Sequence, residues 1–123
     1  MSNSHLDLLH HILDELDFLL TESATTNLDD FIKDEKSKRA YARSFEIIGE
    51  ASKNISEDIK KLYPSIEWKS MARMRDRLIH HYFGVDYELV WSIVCENIPI
   101  LKDQLKKILQ DSDQDVSLKK TII

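Results

Sequence analysis

The chain has 123 residues, a formal net charge of −5, two glycines, two prolines and one cysteine. It is long enough for one domain with a buried core, and its single cysteine excludes an intrachain disulfide. The acidic balance argues against a general polyanion binder, and two isolated glycines exclude a glycine-rich phosphate loop.

The predicted elements are helices, because turn-forming residues are scarce and apolar and polar residues show no sustained alternation. Apolar residues at helical spacing predict a first amphipathic helix over residues 4–22, with Ser4 as its N-cap. Residues 23–34 are predicted to form a polar connection that holds a short turn around Leu28 and Phe31.

A second helix is predicted over residues 35–62, and Pro64 closes it. Gly49 falls on the inner side of this helix. Because a glycine inside a helix costs about 1 kcal/mol relative to alanine, we expect a neighbouring backbone to approach closely at Gly49.

A third helix is predicted over residues 67–82, and Gly84 supplies the left-handed position that ends it. Asp86 caps a fourth helix, in which Pro99 predicts a kink. Cys95 is expected to be a small core residue of that helix.

Four helices with short connections predict an all-α, antiparallel four-helix bundle over residues 1–110. Residues 111–123 begin acidic, become basic and end apolar, so we expect a flexible C-terminal tail.

The start of the chain has neither the cationic region nor the unbroken apolar stretch of a signal peptide, and no segment is apolar enough to cross a bilayer. We therefore expect a cytoplasmic protein with no membrane partner. His10 and Asp14 stand at i, i+4 but lack a third ligand at suitable spacing, so no metal and no cofactor are expected.

The segment WKSMARMRDRLIHHYFG, from Trp68 to Gly84, is the most informative part of the chain. On a continuous helix, Arg75 falls near the centre of an otherwise apolar face. That face comprises Trp68, Met71, Arg75, Leu78, Ile79 and Tyr82, and the opposite face comprises Lys69, Arg73, Asp76, Arg77 and His80. Four cations against one acid make residues 68–83 locally positive, by +3, within an acidic protein. This pattern favours phosphate binding.

The residue types also suit metal-free chemistry at a phosphate ester, which needs a proton acceptor, a proton donor and a cation near the phosphorane. His80 can exchange protons near neutrality, Asp76 could orient it from i−4, and Arg75 could clamp the phosphate. In the alternative interpretation, Asp76 and His80 form an ordinary surface pair, and Arg75 forms a structural ion pair with Glu46 or Glu50.

Arg75 and His80 are separated by about 140° on an ideal helix, so one straight helix does not direct both at the same atom. The long arginine side chain, a helix end near His80, or two motifs facing each other across a dimer axis would bring them together.

Arg75, Asp76, His80 and Tyr82 reproduce the pattern R-[N/D]-x-x-x-H-x-Y, and the chain here resembles the HepT-like group of HEPN-domain toxins. Three flanking blocks occur in the same order as in that family, namely RSFEIIGEA, YPSIEW and FGVDYELVW. The resemblance covers roughly residues 5–109. His81 would satisfy a looser spacing from Arg75, but the position of Tyr82 favours His80.

The resemblance implies a HEPN-type bundle that forms a homodimer and acts as a metal-independent ribonuclease on an RNA substrate. Arg75 and His80 would be catalytic, with Asp76 in support. Tyr82 would be the residue that a minimal nucleotidyltransferase antitoxin adenylylates to neutralise the toxin. The cations expected to bind RNA phosphates are Lys69, Arg73 and Arg77. The second interpretation is a non-catalytic HEPN subunit that binds a nucleotidyltransferase through the same basic face.

Overall fold

The computed structural model describes residues 2–80 and 84–114, which form eight helices and a two-stranded antiparallel ladder. The helices are α1 (Ser2–Ser23), α2 (Leu28–Lys33), α3 (Glu35–Lys53), α4 (Glu57–Leu62), α5 (Trp68–Ala72), α6 (Met74–Leu78), α7 (Tyr87–Glu96) and α8 (Ile98–Gln114). The strands are β1 (Ile79–His80) and β2 (Gly84–Val85), with Ile79 opposite Val85 and His80 opposite Gly84.

The architecture is the predicted all-α bundle, with α1, α3, the α5–α6 pair and the α7–α8 pair as its four arms. α1 packs against α3 and α8, and α3 packs against α5 and α6. The Ser44 hydroxyl donates to Glu15 Oε1 at 2.7 Å, and the Phe18 ring meets the Tyr41 ring at 6.3 Å. The later residue of α1 contacts the earlier residue of α3, so these two helices are antiparallel.

Apolar side chains from all four arms share one core. Its largest fully buried members are Leu9, Ile12, Leu16, Leu19, Phe31, Tyr41, Phe45, Ile48, Met71, Leu78, Ile98 and Leu105. Phe31 stacks on Tyr41 with ring centroids 4.5 Å apart, and its ring also lies 5.4 Å from that of Trp91. Burial disfavours the ionised form of the Tyr41 hydroxyl, and the nearby negative charge of Glu22 adds to this effect. Together they raise the pKa of Tyr41 to about 12.

Two predicted boundaries in the first half are wrong. α1 begins at Ser2, so Ser4 lies within the helix rather than at its N-cap. Residues 28–33 form α2 instead of a turn, because the Asn27 side chain accepts the Asp30 amide at 2.9 Å and caps a short helix.

The predicted second helix is divided at Asn54. α3 ends at Lys53, where the Asn54 amide side chain donates to the Glu50 carbonyl at 2.9 Å, and α4 begins after Ser56, whose hydroxyl accepts from the Ile59 amide. Both polar side chains satisfy backbone groups that a continuous helix would have used, so the break is stable.

The predicted close approach at Gly49 is confirmed. A Cβ placed on Gly49 would lie 3.3 Å from the Ala72 carbonyl oxygen and 3.6 Å from that of Met71. The C-terminal end of α5 therefore lies directly on the backbone of α3.

The predicted third helix, residues 67–82, is wrong in its continuity and its end. It is interrupted at Arg73, and α6 ends at Leu78, after which the chain becomes extended. The Asp86 amide donates to the Leu78 carbonyl at 2.8 Å, and Gly84 adopts a φ of +77° in β2 rather than ending a helix. The strand pairing replaces the helical hydrogen bonds that residues 79 and 80 would have made.

The fourth arm follows the prediction more closely. Asp86 caps α7 by accepting the Leu89 amide at 3.1 Å, which confirms the predicted cap. The helix is interrupted at Asn97, and Pro99 lies in the first turn of α8, where its missing N–H breaks no helical hydrogen bond. Cys95 is exposed, so its predicted core position is wrong.

α8 continues to Gln114, so the first residues of the predicted tail, 111–114, are helical. The Tyr63 hydroxyl donates to Asp111 Oδ2 at 3.1 Å and joins this end of α8 to the chain after α4. The remainder of the predicted tail, residues 115–123, lies outside the described residues.

Candidate functional site

An open groove of about 330 Å³ lies between α3 and the junction of α6 with the β-ladder. It is lined by Arg39, Ala42, Arg43, Glu46, Arg75, Leu78, Val85 and Tyr87. We call it the arginine groove. α3 supplies one wall, and the other wall comes from α6, β2 and the first residue of α7.

Glu46 joins two arginines across this groove. Arg43 Nη1 donates to Glu46 Oε1 at 2.6 Å, and Arg75 Nε lies 3.3 Å from Glu46 Oε2. The Glu46 side chain is 33% exposed and that of Arg75 is 55% exposed. One carboxylate thus holds a guanidinium from α3 and a guanidinium from α6 at the same place.

The charge of the described lining residues is positive. Three guanidinium groups stand against one carboxylate, which leaves a formal charge of +2 in a chain whose overall charge is −5. Leu78, Val85 and Tyr87 form an apolar side of the groove, and such a wall strengthens the attraction of an anion to the arginines.

The interruption of the predicted third helix changes the position of Arg75. The buried face of α5 and α6 comprises Trp68, Met71, Met74 and Leu78, so the prediction of Arg75 at the centre of an apolar stripe is wrong. The break at Arg73 shifts the helical phase, and Arg75 reaches the groove instead of the core. Its partner is Glu46, one of the two carboxylates named by the alternative interpretation.

His80 lies in β1, close in sequence and in strand pairing to residues that line the same groove. Leu78 lines the groove two residues before His80, and His80 pairs with Gly84, whose neighbour Val85 also lines it. Among the three arrangements that would bring Arg75 and His80 together, the structure contains the helix end, because α6 stops at Leu78. The side chain of His80 is outside the described part of the chain.

Asp76 is an exposed residue of α6. The predicted i, i+4 relation between Asp76 and His80 required a continuous helix, and the end of α6 at Leu78 removes that geometric argument. Tyr82 lies outside the described residues, as does the side chain of Arg77.

Lys69 and Arg73 are exposed at α5 and at its C-cap, and neither belongs to the described lining of the arginine groove. The structure places Arg39 and Arg43 beside Arg75 instead. Arg39 and Arg43 were not among the residues predicted from the sequence to bind phosphate. Their i, i+4 spacing on α3 was a usable signal, since it places both on one helical face.

No group of three or more histidine, cysteine, aspartate or glutamate side chains within residues 2–80 and 84–114 is arranged to hold a metal ion. In the same part of the chain, none of the helices combines the length and apolar character required to traverse a bilayer.

The four-arm helical architecture places the protein in the class of all-α HEPN-type bundles. Its arginine groove lies beside the segment that contains Arg75 and His80. A family model described as "Ribonuclease HepT-like" matches residues 11–108, and the chain belongs to this HepT-like ribonuclease family.

Three relatives with ribonuclease names support the assignment of the chain to this family. The chain is 46% identical over 108 residues to "Probable ribonuclease HepT" of Thermococcus cleftensis, a match that covers 88% of this chain and 98% of the relative. It is 46% identical over 105 residues to a protein of Methanocaldococcus jannaschii that carries the provisional name of RNase, covering 85% of this chain and 84% of the relative. A third relative, from Caldanaerobacter subterraneus subsp. tengcongensis, also has the provisional name of RNase and is 45% identical over 102 residues, covering 83% and 91% of the two chains. No solved structure matches the chain.

Proposed function

We propose that this protein is a metal-independent endoribonuclease that acts in the cytoplasm as the toxin of a toxin–antitoxin pair. The observation that carries the proposal is the position of Arg75 in a positively charged groove directly beside the strand that contains His80. Membership of the HepT-like ribonuclease family supports the same reaction.

In the proposed reaction, a histidine accepts the proton of a ribose 2′-hydroxyl, and the 2′-oxygen attacks the adjacent phosphorus. The bond between phosphorus and the 5′-oxygen then breaks, and a protonated histidine returns a proton to the leaving oxygen. His80 is assigned to both transfers, because imidazole side chains in general can exchange protons near neutral pH. Arg75 stabilises the negative charge of the phosphorane. Asp76, the residue that follows Arg75 in the sequence, is an anion with a supporting role.

A homodimer would supply two copies of this motif, one histidine as base and the other as acid. An isologous two-fold contact places the same surface of each protomer against the other, so a single motif can line both sides of a shared cleft. Lys69, Arg73 and Arg77 would then hold phosphates of the RNA strand on the approach to the cleft.

Control is proposed to occur at Tyr82, two residues after His80. Transfer of an adenylyl group from ATP by a nucleotidyltransferase antitoxin would place a phosphate and a nucleoside near the cations of the site. The added negative charge would occupy the positions that a substrate phosphate requires.

The decisive experiment is incubation of the purified protein with transfer RNA and messenger RNA in the presence of a chelator. Discrete fragments are expected, and His80→Ala should abolish them. His10→Ala, a change of an exposed histidine on α1, is the matched control and should leave the fragments unchanged.

Cleavage that chelator abolishes and magnesium restores would contradict the metal-independent mechanism. Tight binding to a nucleotidyltransferase without cleavage of RNA would instead support a non-catalytic binding subunit.

A further inference from the structure

We propose that Arg39 and Arg43 of α3 form, in the arginine groove, a binding subsite for a phosphate of single-stranded RNA other than the phosphate that is cleaved. This inference rests on the proposed function for its substrate, but it assigns ligands on a different helix from the motif. The subsite positions the strand, whereas Arg75 faces the reacting phosphate.

The spacing of the two arginines supports a common ligand. Arg39 and Arg43 are one turn apart on α3, both are exposed, and both line the same groove. Side chains at i and i+4 lie on one helical face, so two guanidinium groups can reach one phosphate from the same side. Planar guanidinium groups bind phosphate oxygens through paired N–H donors.

Glu46 explains how Arg43, together with Arg75, is held in the absence of RNA. It contacts Arg43 through one terminal nitrogen and Arg75 through Nε. Each contact leaves further N–H donors of the guanidinium directed elsewhere, because a guanidinium has five. Fixing Arg43 in advance lowers the entropy lost when a phosphate binds to the subsite.

The charges of the groove identify the ligand as an anion. Among the described residues, no carboxylate lies within ion-pair distance of Arg39, whereas Arg43 shares Glu46 with Arg75. The described lining of the groove therefore has an excess of positive charge. Glu35, which interacts electrostatically with Arg39 from one turn earlier, lies outside that lining and forms its ion pair with Lys38. Its open form and its apolar side, made by Leu78, Val85 and Tyr87, suit an extended strand better than a compact ion.

The test uses the complete chain and a fluorescent 12-residue RNA of mixed sequence with 2′-O-methyl groups, which cannot react through a 2′-hydroxyl. Binding is measured by anisotropy over a series of salt concentrations. The Arg39→Gln/Arg43→Gln double variant should bind about tenfold more weakly. The negative slope of log affinity against log salt should become shallower by about 0.7 for each phosphate that the variant no longer neutralises.

The matched control is Lys106→Gln/Lys107→Gln, which removes the same charge from exposed positions on α8. It should change neither the affinity nor the slope appreciably. Equal effects of the two double variants would overturn the subsite, since the weaker binding would then reflect net charge alone. Arg39→Gln by itself breaks no described ion pair, so it keeps the test valid should the double variant not fold.

Cleavage of unmodified RNA separates this inference from the proposed function. If the wild type cleaves RNA and the α3 double variant raises KM with kcat retained, both stand. If the wild type cleaves but binding is independent of Arg39 and Arg43, the subsite alone is refuted. If binding requires these arginines and no cleavage occurs, the subsite stands and the ribonuclease proposal fails.

Discussion

Replacement of Arg75 by alanine distinguishes a catalytic arginine from a structural one. The structural interpretation requires that Arg75 stabilise the fold through Glu46. Its side chain, however, is 55% exposed and its contact with Glu46 spans 3.3 Å. Exposed ion pairs contribute about 0.2–1 kcal/mol, and Arg43 would still neutralise Glu46 after the substitution.

We therefore expect Arg75→Ala to lower the free energy of unfolding by less than about 1 kcal/mol. For a chain of this length, that change corresponds to a shift in Tm of at most about 4 °C. The expected catalytic loss is much larger. Removal of a group that stabilises transition-state charge typically costs about 100-fold to 1,000-fold in kcat, or roughly 2.7–4 kcal/mol.

Stability is measured by urea unfolding at one fixed protein concentration, because a dimer's stability depends on concentration. Initial cleavage rates in chelator are measured on the same preparations. Lys53→Ala is the control, since Lys53 forms a comparable exposed pair with Glu50 at 3.3 Å on α3, outside the described lining of the groove. A decrease of about 3 kcal/mol or more in the unfolding free energy of the Arg75 variant, beyond that of the control, would refute the reasoning.

Three further predictions concern other parts of the molecule. Gly49→Val should destabilise the fold by about 1–3 kcal/mol in urea unfolding, because the methyl groups of valine would press on the carbonyls at the end of α5. Gly49→Ala gains helix propensity and should cost clearly less stability. Equal losses of stability in the two variants would contradict the close approach. The raised pKa of Tyr41, about 12, means that the folded chain retains this proton between pH 10 and 12 while the unfolded chain loses it, so stability should fall as pH rises through that range. Tyr41→Phe should reduce this alkaline loss, and an unchanged pH dependence would show that other groups cause it. Tyr82→Phe should retain cleavage yet escape silencing by a nucleotidyltransferase supplied with ATP; mass spectrometry that finds the adenylyl group only on another residue would oppose the proposed switch.

The sequence determined the features that depend on local patterns. Apolar periodicity and the scarcity of glycine and proline predicted an all-α bundle, and the observed core is built from apolar side chains of its helices. Asp86 was recognisable as a cap because capping needs only a short polar side chain at a helix start. Gly49 was recognisable as a contact point because an internal glycine costs stability unless packing offsets it.

The tertiary structure decided where the third helix breaks, and with it the site. The pattern of residues 67–82 is compatible with one long helix, and local propensity favours that form. Packing of the α5 carbonyls on Gly49 joins parts of the chain that are distant in sequence, whereas β1 and β2 pair residues only four and six positions apart. Together these contacts prevail over the local preference for a continuous helix. Arg75 consequently turns away from the core and meets Glu46 beside Arg39 and Arg43. The arginine groove was therefore beyond the reach of a helical pattern, because it exists only where α3 and the end of α6 come together in space.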